Sequence, residues 1–96
     1  MDIRIQAIHF DAAEKLESFI NKKAERLARH YPDITTFDVT LKVVKPETAM
    51  NKEATVKLTV PQQPERVASK TADTFEEAID LALEALERQL ERGKDR

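Results

Sequence analysis

Residues 74–92 read TFEEAIDLALEALERQLER. The spacing predicts one long amphipathic helix. Thr74, followed three residues later by Glu77, has the form of a capping box. The hydroxyl would take one orphan backbone N–H and the carboxylate another. Phe75, Ala78, Ile79, Ala82, Leu86 and Leu90 recur at helical spacing and mark the face to be buried. Gly93 is expected to end the helix, because glycine enters the left-handed conformation at little cost. At about 100° per residue, Glu76, Glu77, Asp80, Glu84, Glu87 and Glu91 gather on one outward side. Arg88 and Arg92 stand one turn apart on a flank beside the apolar face.

Ahead of this helix the apolar period is two. Arg66–Thr71 predicts a short strand with Val67 inward. Glu53–Val60 alternates with Ala54, Val56, Leu58 and Val60 inward, and Thr36–Val44 with Phe37, Val39, Leu41 and Val43 inward. Lys45–Asn51 and the segment bracketed by Pro61 and Pro64 read as turns or loops. At the start of the chain, Asp2–His9 alternates with Ile3, Ile5 and Ala7 on one face. Asp11 with Glu14 has the form of a second capping box, so a helix is expected from Ala12. Leu16, Ile20, Ala24, Leu27, Ala28 and Tyr31 are its buried stripe, and Pro32 ends it.

The order is therefore β-α-β-β-β-α, an α+β domain. Three successive strands with short loops form an antiparallel meander. The first strand pairs parallel to the second through a right-handed helical crossover. A four-stranded sheet results, with both helices on one face and the other face open to water. Arg4, Lys42, Lys57 and Lys70 are expected on that open face among threonines. Lysines there are also a common guard against edge-to-edge aggregation.

The 96 residues make a single domain, with no repeat and no linker. Such a chain buries roughly 65% of its unfolded surface, enough for one core but not for a deep interdomain cleft. There is no cysteine, so disulfide and thiolate chemistry are excluded, in keeping with a reducing cytoplasm. No apolar run approaches the roughly 20 residues that span a bilayer, and the N-terminus leads into a strand, not a signal peptide. A catalytic constellation is missing. His9 and His30 are the only histidines, His9-x-Asp11 lacks a third ligand at a useful spacing, and one glycine leaves no phosphate-cradling loop. The carboxylates lie along exposed helix faces where nothing desolvates them. No enzyme, metal, cofactor or small-molecule substrate is expected.

Net charge is −2, so the total does not favour nucleic acid and the distribution must. The first helix is two-sided. Lys15, Lys22, Arg26 and Arg29 fall in one arc, with Lys23 and His30 adjoining, while Glu14, Glu17 and Glu25 take the other flank. Intrahelical pairing would mix the signs. The aromatics read as core or helix-seam residues, so a base-stacking sheet is not expected. Contacts from helix flanks to phosphates, reading shape and charge, fit better. If the helix flanks adjoin, Lys22, Arg26, Arg29, Arg88 and Arg92 make one patch. If basic faces acidic, the flanks neutralise each other and the RNA reading weakens. A different class of function stays open: a protein-interaction module that docks a basic partner on its acidic C-terminal helix.

The element order, Val67-Ala68-Ser69 before the last helix, Ala78-Ile79-Asp80, and above all Leu86-Glu87-Arg88-Gln89-Leu90 resemble the ribosome hibernation-promoting factor family. That family is also described as ribosome-associated translation inhibitor A, or sigma-54 modulation protein. The resemblance covers the whole chain and is to the short form. It implies a fold related to double-stranded RNA-binding domains. It also implies a non-catalytic cytoplasmic bacterial protein of starvation or stationary phase. The sequence does not give the oligomeric state; a monomer off the ribosome is the expectation. Its partner would be the small ribosomal subunit, where it occupies the decoding region, contacts ribosomal RNA and blocks messenger and transfer RNA. Arg88 and Arg92 match basic positions of the family's last helix, and Lys94 and Arg96 its basic tail. Lys22, Lys23, Arg26 and Arg29 match its basic first helix in placement. Ala85 stands where relatives often carry lysine, Glu91 in a stretch usually basic or neutral, and Glu76 where tyrosine is frequent. The expected contact therefore shifts towards the first helix.

Overall fold

The computed structural model describes residues 1–44 and 49–94, with Gly93 and Lys94 given by backbone alone. Its elements are β1 (Asp2–Ala7), α1 (Glu14–His30), β2 (Thr36–Val43), β3 (Lys52–Thr59), β4 (Arg66–Ala72) and α2 (Phe75–Lys94). The sheet order is β1-β2-β3-β4, with β1 parallel to β2 and the other pairs antiparallel. Phe37, Val39 and Leu41 of β2 and Ala54, Val56 and Leu58 of β3 are buried in one cluster with Ile20, Leu27, Ile79 and Leu86. Period-two burial on the strands and 3.6-residue burial on the helices thus close on one layer interface, with both helices on the same sheet face. This is the expected α+β arrangement. Of the Lys45–Asn51 loop expected from the sequence, residues 45–48 lie outside the described residues.

The two capping boxes part company. In α2 the Glu77 N–H donates to Thr74 Oγ1 at 3.1 Å. In α1 the box is not formed: the helix begins at Glu14, not Ala12, and its cap is Ala13, with no side-chain bond. Ala13 is extended (φ −66, ψ 150), which leaves Asp11 two residues short of the cap position. The preceding connector takes its path from packing instead. His9 sits at φ 65, a region histidine tolerates better than most residues, and Phe10 then stacks on Phe75 with centroids 5.2 Å apart. Thr74→Ala is expected to cost about 1 kcal/mol, whereas Asp11→Ala should stay within about 0.5 kcal/mol. Urea denaturation of the two variants compares them directly; equal losses would mean that Asp11 caps after all.

Three further expectations need correction. Val67 does not point inward: it is 48% exposed, while Ala68 and Ala72 are buried. The register explains it. Ala68 lies opposite Val56, which faces the core, so alternation sends Val67 outward opposite Lys57. Helix α2 packs over β4 and β3, and the buried residues on both sides of that contact include alanines: Ala68 and Ala72 below, Ala78 and Ala82 above. Small residues allow close approach of the helix, and Arg66 and Gln89 reinforce it. Gln89 Nε2 donates to the Val67 carbonyl at 3.4 Å, and Arg66 donates to the Gln89 carbonyl at 3.5 Å. The same register places Lys70 opposite Ala54, on the helix side and not on the open face. Finally, α2 runs through Gly93 to Lys94, so the glycine does not end it.

Candidate nucleic-acid interface

The open sheet face carries charge in balanced rows. Arg4 lies opposite Asp38, which lies opposite Lys57, itself 3.7 Å from Glu65 Oε2, and Lys42 lies opposite Glu53. The next row, Gln6, Thr40, Thr55 and Ser69, is neutral, with Thr55 and Ser69 hydroxyls 2.9 Å apart. Phe37 is buried, and Phe10, Phe19, Tyr31 and Phe75 pack against the core from its margins. The face therefore offers neither a stacking platform nor an uncompensated basic field.

The helix layer is different. Lys22, Arg26 and Arg29 are exposed on α1, and Arg88 and Arg92 on α2. The two helices meet along a groove of about 290 Å³. Lys23, Arg26 and Leu27 line it from α1; Asp80, Leu83, Glu84 and Glu87 line it from α2. Lys23 Nζ stands 3.0 Å from Asp80 Oδ1 and 5.2 Å from the centre of the Phe19 ring. The basic flank of α1 thus faces the acidic side of α2. On a helical wheel Asp80, Glu84, Glu87 and Glu91 lie within about 60° of one another, and Arg88 and Arg92 follow on the side turned away from α1. The five cations do not merge. They form a basic stripe on α1 and a second on α2, with an acidic row between. Lys23, read from sequence as an RNA contact, is engaged by Asp80. Of the basic tail, Arg96 lies outside the described residues and Lys94 is described by backbone only.

The Lys23–Asp80 pair is partly exposed, so it contributes below about 1 kcal/mol. Its consequence is for charge: it removes one cation from the free set and neutralises one carboxylate of the row. A second link joins the C-terminal end of α1 to α2. The Tyr31 hydroxyl donates to Glu91 Oε2. That bond to the carboxylate, followed by desolvation and the charges of Glu91 and Glu87, pushes the phenol from 10.0 up to about 12. The folded-state value is raised, so the contribution to stability is complete below about pH 10 and disappears as pH rises through about 12. Tyr31 is the one tyrosine and there is no tryptophan, so ultraviolet difference absorbance reads it alone. The native titration midpoint should lie near 12, and Glu91→Gln should return it towards 10. An unchanged midpoint in that variant would remove Glu91 as the cause.

Among the described residues no group of three His, Cys, Asp or Glu side chains is placed to hold a metal ion. No helix among them is long and apolar enough to cross a membrane.

Residues 3–96 match the family model described as Sigma 54 modulation protein / S30EA ribosomal protein. The chain belongs to this family. It is a family of ribosome-associated hibernation factors that catalyse no reaction. The ribosome hibernation promoting factor of Azotobacter vinelandii is 30% identical over 96 residues, covering all of this chain and 85% of that protein. The protein of the same name from Pseudomonas putida is 27% identical over 96 residues and is covered to 89%. Among solved structures, a ribosomal subunit interface protein from Coxiella burnetii superposes with a TM-score of 0.86 at 20% identity, over the whole of both chains. The N-terminal domain of Protein Y from Thermus thermophilus gives 0.77 at 23% identity, over 96% of this chain and 98% of that one. At those identities the likeness is one of fold. Within the family, then, this chain presents its cations as two stripes parted by carboxylates.

Proposed function

We propose that this protein is a cytoplasmic bacterial hibernation factor that silences idle ribosomes by occupancy. It lodges in the decoding region of the small subunit, holds ribosomal RNA phosphates, and keeps messenger and transfer RNA out. The observation that carries this reading is the exposed basic stripe on α1, Lys22, Arg26 and Arg29, on the helix layer of a family member. Arg88 and Arg92 add a second line of contacts on α2. The acidic row offsets the groove side of the α1 stripe, where Lys23 pairs with Asp80 and Arg26 faces Glu84 and Glu87, so the reading leans on Lys22 and Arg29, which do not line the groove. Lys22 and Arg29 face away from the groove and keep their charge for a partner. A rigid two-layer domain needs no chemistry to exclude competitors from a site it fills.

Co-sedimentation with ribosomes through sucrose gradients tests this. The protein should travel with the small subunit at low salt. With about five phosphate contacts, affinity should fall roughly 10²- to 10³-fold between 50 and 200 mM salt. Bound protein should be displaced by transfer RNA and messenger RNA added together. Protein that stays at the top of the gradient at low salt would sink the proposal. The other reading, a basic protein docked on α2, loses ground because Lys23 and Arg26 of α1 already stand against Asp80, Glu84 and Glu87 of that acidic row.

A further inference from the structure

At the end of the molecule where α1 runs into β2 lies a recess of about 280 Å³. Ile34, Val60 and Leu90 are its apolar lining, and all three are buried. Tyr31 lines it as well, its ring fixed by the hydroxyl bond to Glu91. His30, Asp33 and Gln63 are exposed polar residues at the same recess. The volume sits near the lower limit of about 300 Å³ for small-ligand pockets. It has room for a flat ring system, not for a whole nucleotide with its sugar and phosphate.

The polar groups are set in complementary senses. Arg66 donates to Gln63 Oε1 at 3.4 Å. A guanidinium can only donate, so the oxygen is the occupied end of that amide and the NH₂ is left as a donor. The Asp33 carboxylate can only accept. An apolar floor, an aromatic ring, an amide donor and a carboxylate acceptor, with the His30 imidazole beside them, are features with which proteins receive an unstacked base. Arg29 is exposed in the last turn of α1, two residues before Tyr31.

We propose that this recess takes one unpaired base of the RNA, with guanine the best match. Guanine offers two neighbouring N–H groups to a carboxylate and a carbonyl oxygen to an amide donor. The inference rests on the RNA reading above and adds to it a site that reads a base, where the stripes read only phosphates.

Methyl and amide NMR spectra of the full chain, titrated separately with GMP, AMP, CMP, UMP and ribose 5-phosphate, test the proposal. GMP should move the Ile34 and Leu90 methyl signals and the Tyr31 ring, with cross-peaks from the base H8. Ribose 5-phosphate should move arginine signals only. Asp33→Asn, an exposed change that leaves the core alone, should weaken GMP at least about fivefold while leaving AMP equal or tighter. Shifts from GMP no different from those of ribose 5-phosphate would overturn the base site, and so would a GMP affinity indifferent to Asp33→Asn. Wild-type protein run on ribosome gradients in parallel separates the two ideas. Ribosome binding without base-dependent shifts overturns the recess alone; no ribosome binding overturns the RNA reading beneath it.

Discussion

Lys22→Glu/Arg29→Glu is expected to lower ribosome affinity by roughly 10²-fold or more and to flatten the salt dependence by about two. The two side chains stand seven residues apart on α1, two helical turns, so they project from one side. Both are exposed, and neither lines the interhelical groove. Their reversal therefore alters the outward charge without touching the Lys23–Asp80 contact or the core. Arg26 is a poorer target, because it faces Glu84 and Glu87 across the groove and its reversal would also set three carboxylates together. Each lost phosphate contact removes close to tenfold at about 0.1 M salt, and each new carboxylate adds repulsion. The companion variant is Glu84→Lys/Glu87→Lys. It should bind ribosomes as well as the wild type or better. If that variant instead abolishes binding while Lys22→Glu/Arg29→Glu does not, a basic protein segment on α2 is the contact and the phosphate reading is wrong.

Phe37→Ala should be the most damaging single change to stability. Phe37 is fully buried on β2, an interior strand, opposite Ile3 on one side and Leu58 on the other. Truncating a buried phenylalanine costs about 3–5 kcal/mol, lost transfer energy plus the cavity left behind. A domain of this size has only about 5–15 kcal/mol in total. The midpoint of thermal unfolding should fall by some tens of degrees, at about 4–8 °C per kcal/mol. Circular dichroism during heating measures it. Val67→Ala is the control. Val67 is as apolar as a core residue in the sequence, but it is 48% exposed, so its truncation should change stability by less than about 0.5 kcal/mol. A large loss at Val67 with a small loss at Phe37 would mean that the strand registers described here are wrong.

Which features were legible in the chain follows from how far each depends on distant residues. Ile20, Leu27, Ile79 and Leu86 announce themselves because burial of one helix face needs an apolar residue every three or four positions, whatever it packs against. Phe37, Val39, Leu41, Val56 and Leu58 do so through alternation. The β4 strand was harder. Its core residues are Ala68 and Ala72, chosen for smallness beneath a close helix, and hydropathy pointed to Val67 instead. Register with β3 decides that question, and register is not local. The cap at Asp11 failed for a similar reason: the connector path is set by Phe10 stacking on Phe75, some 65 residues away in the chain.

For the candidate site, the sequence by itself determined that each helix has one basic and one acidic flank. Charge sign and angular position are properties of a single helix, and about 100° per residue converts one into the other. Only the tertiary structure decided which flanks meet. That depends on the rotation of each helix about its axis, set by how its apolar face seats on the sheet, and on the crossing of the two. Lys23 and Asp80, 57 positions apart, become a 3.0 Å pair, and Tyr31 finds Glu91. No periodicity within either helix carries that information. The outcome is two cationic stripes around an acidic row in place of one basic patch, because the same packing that buries Leu27 and Leu83 between the helices turns their opposite charges towards each other.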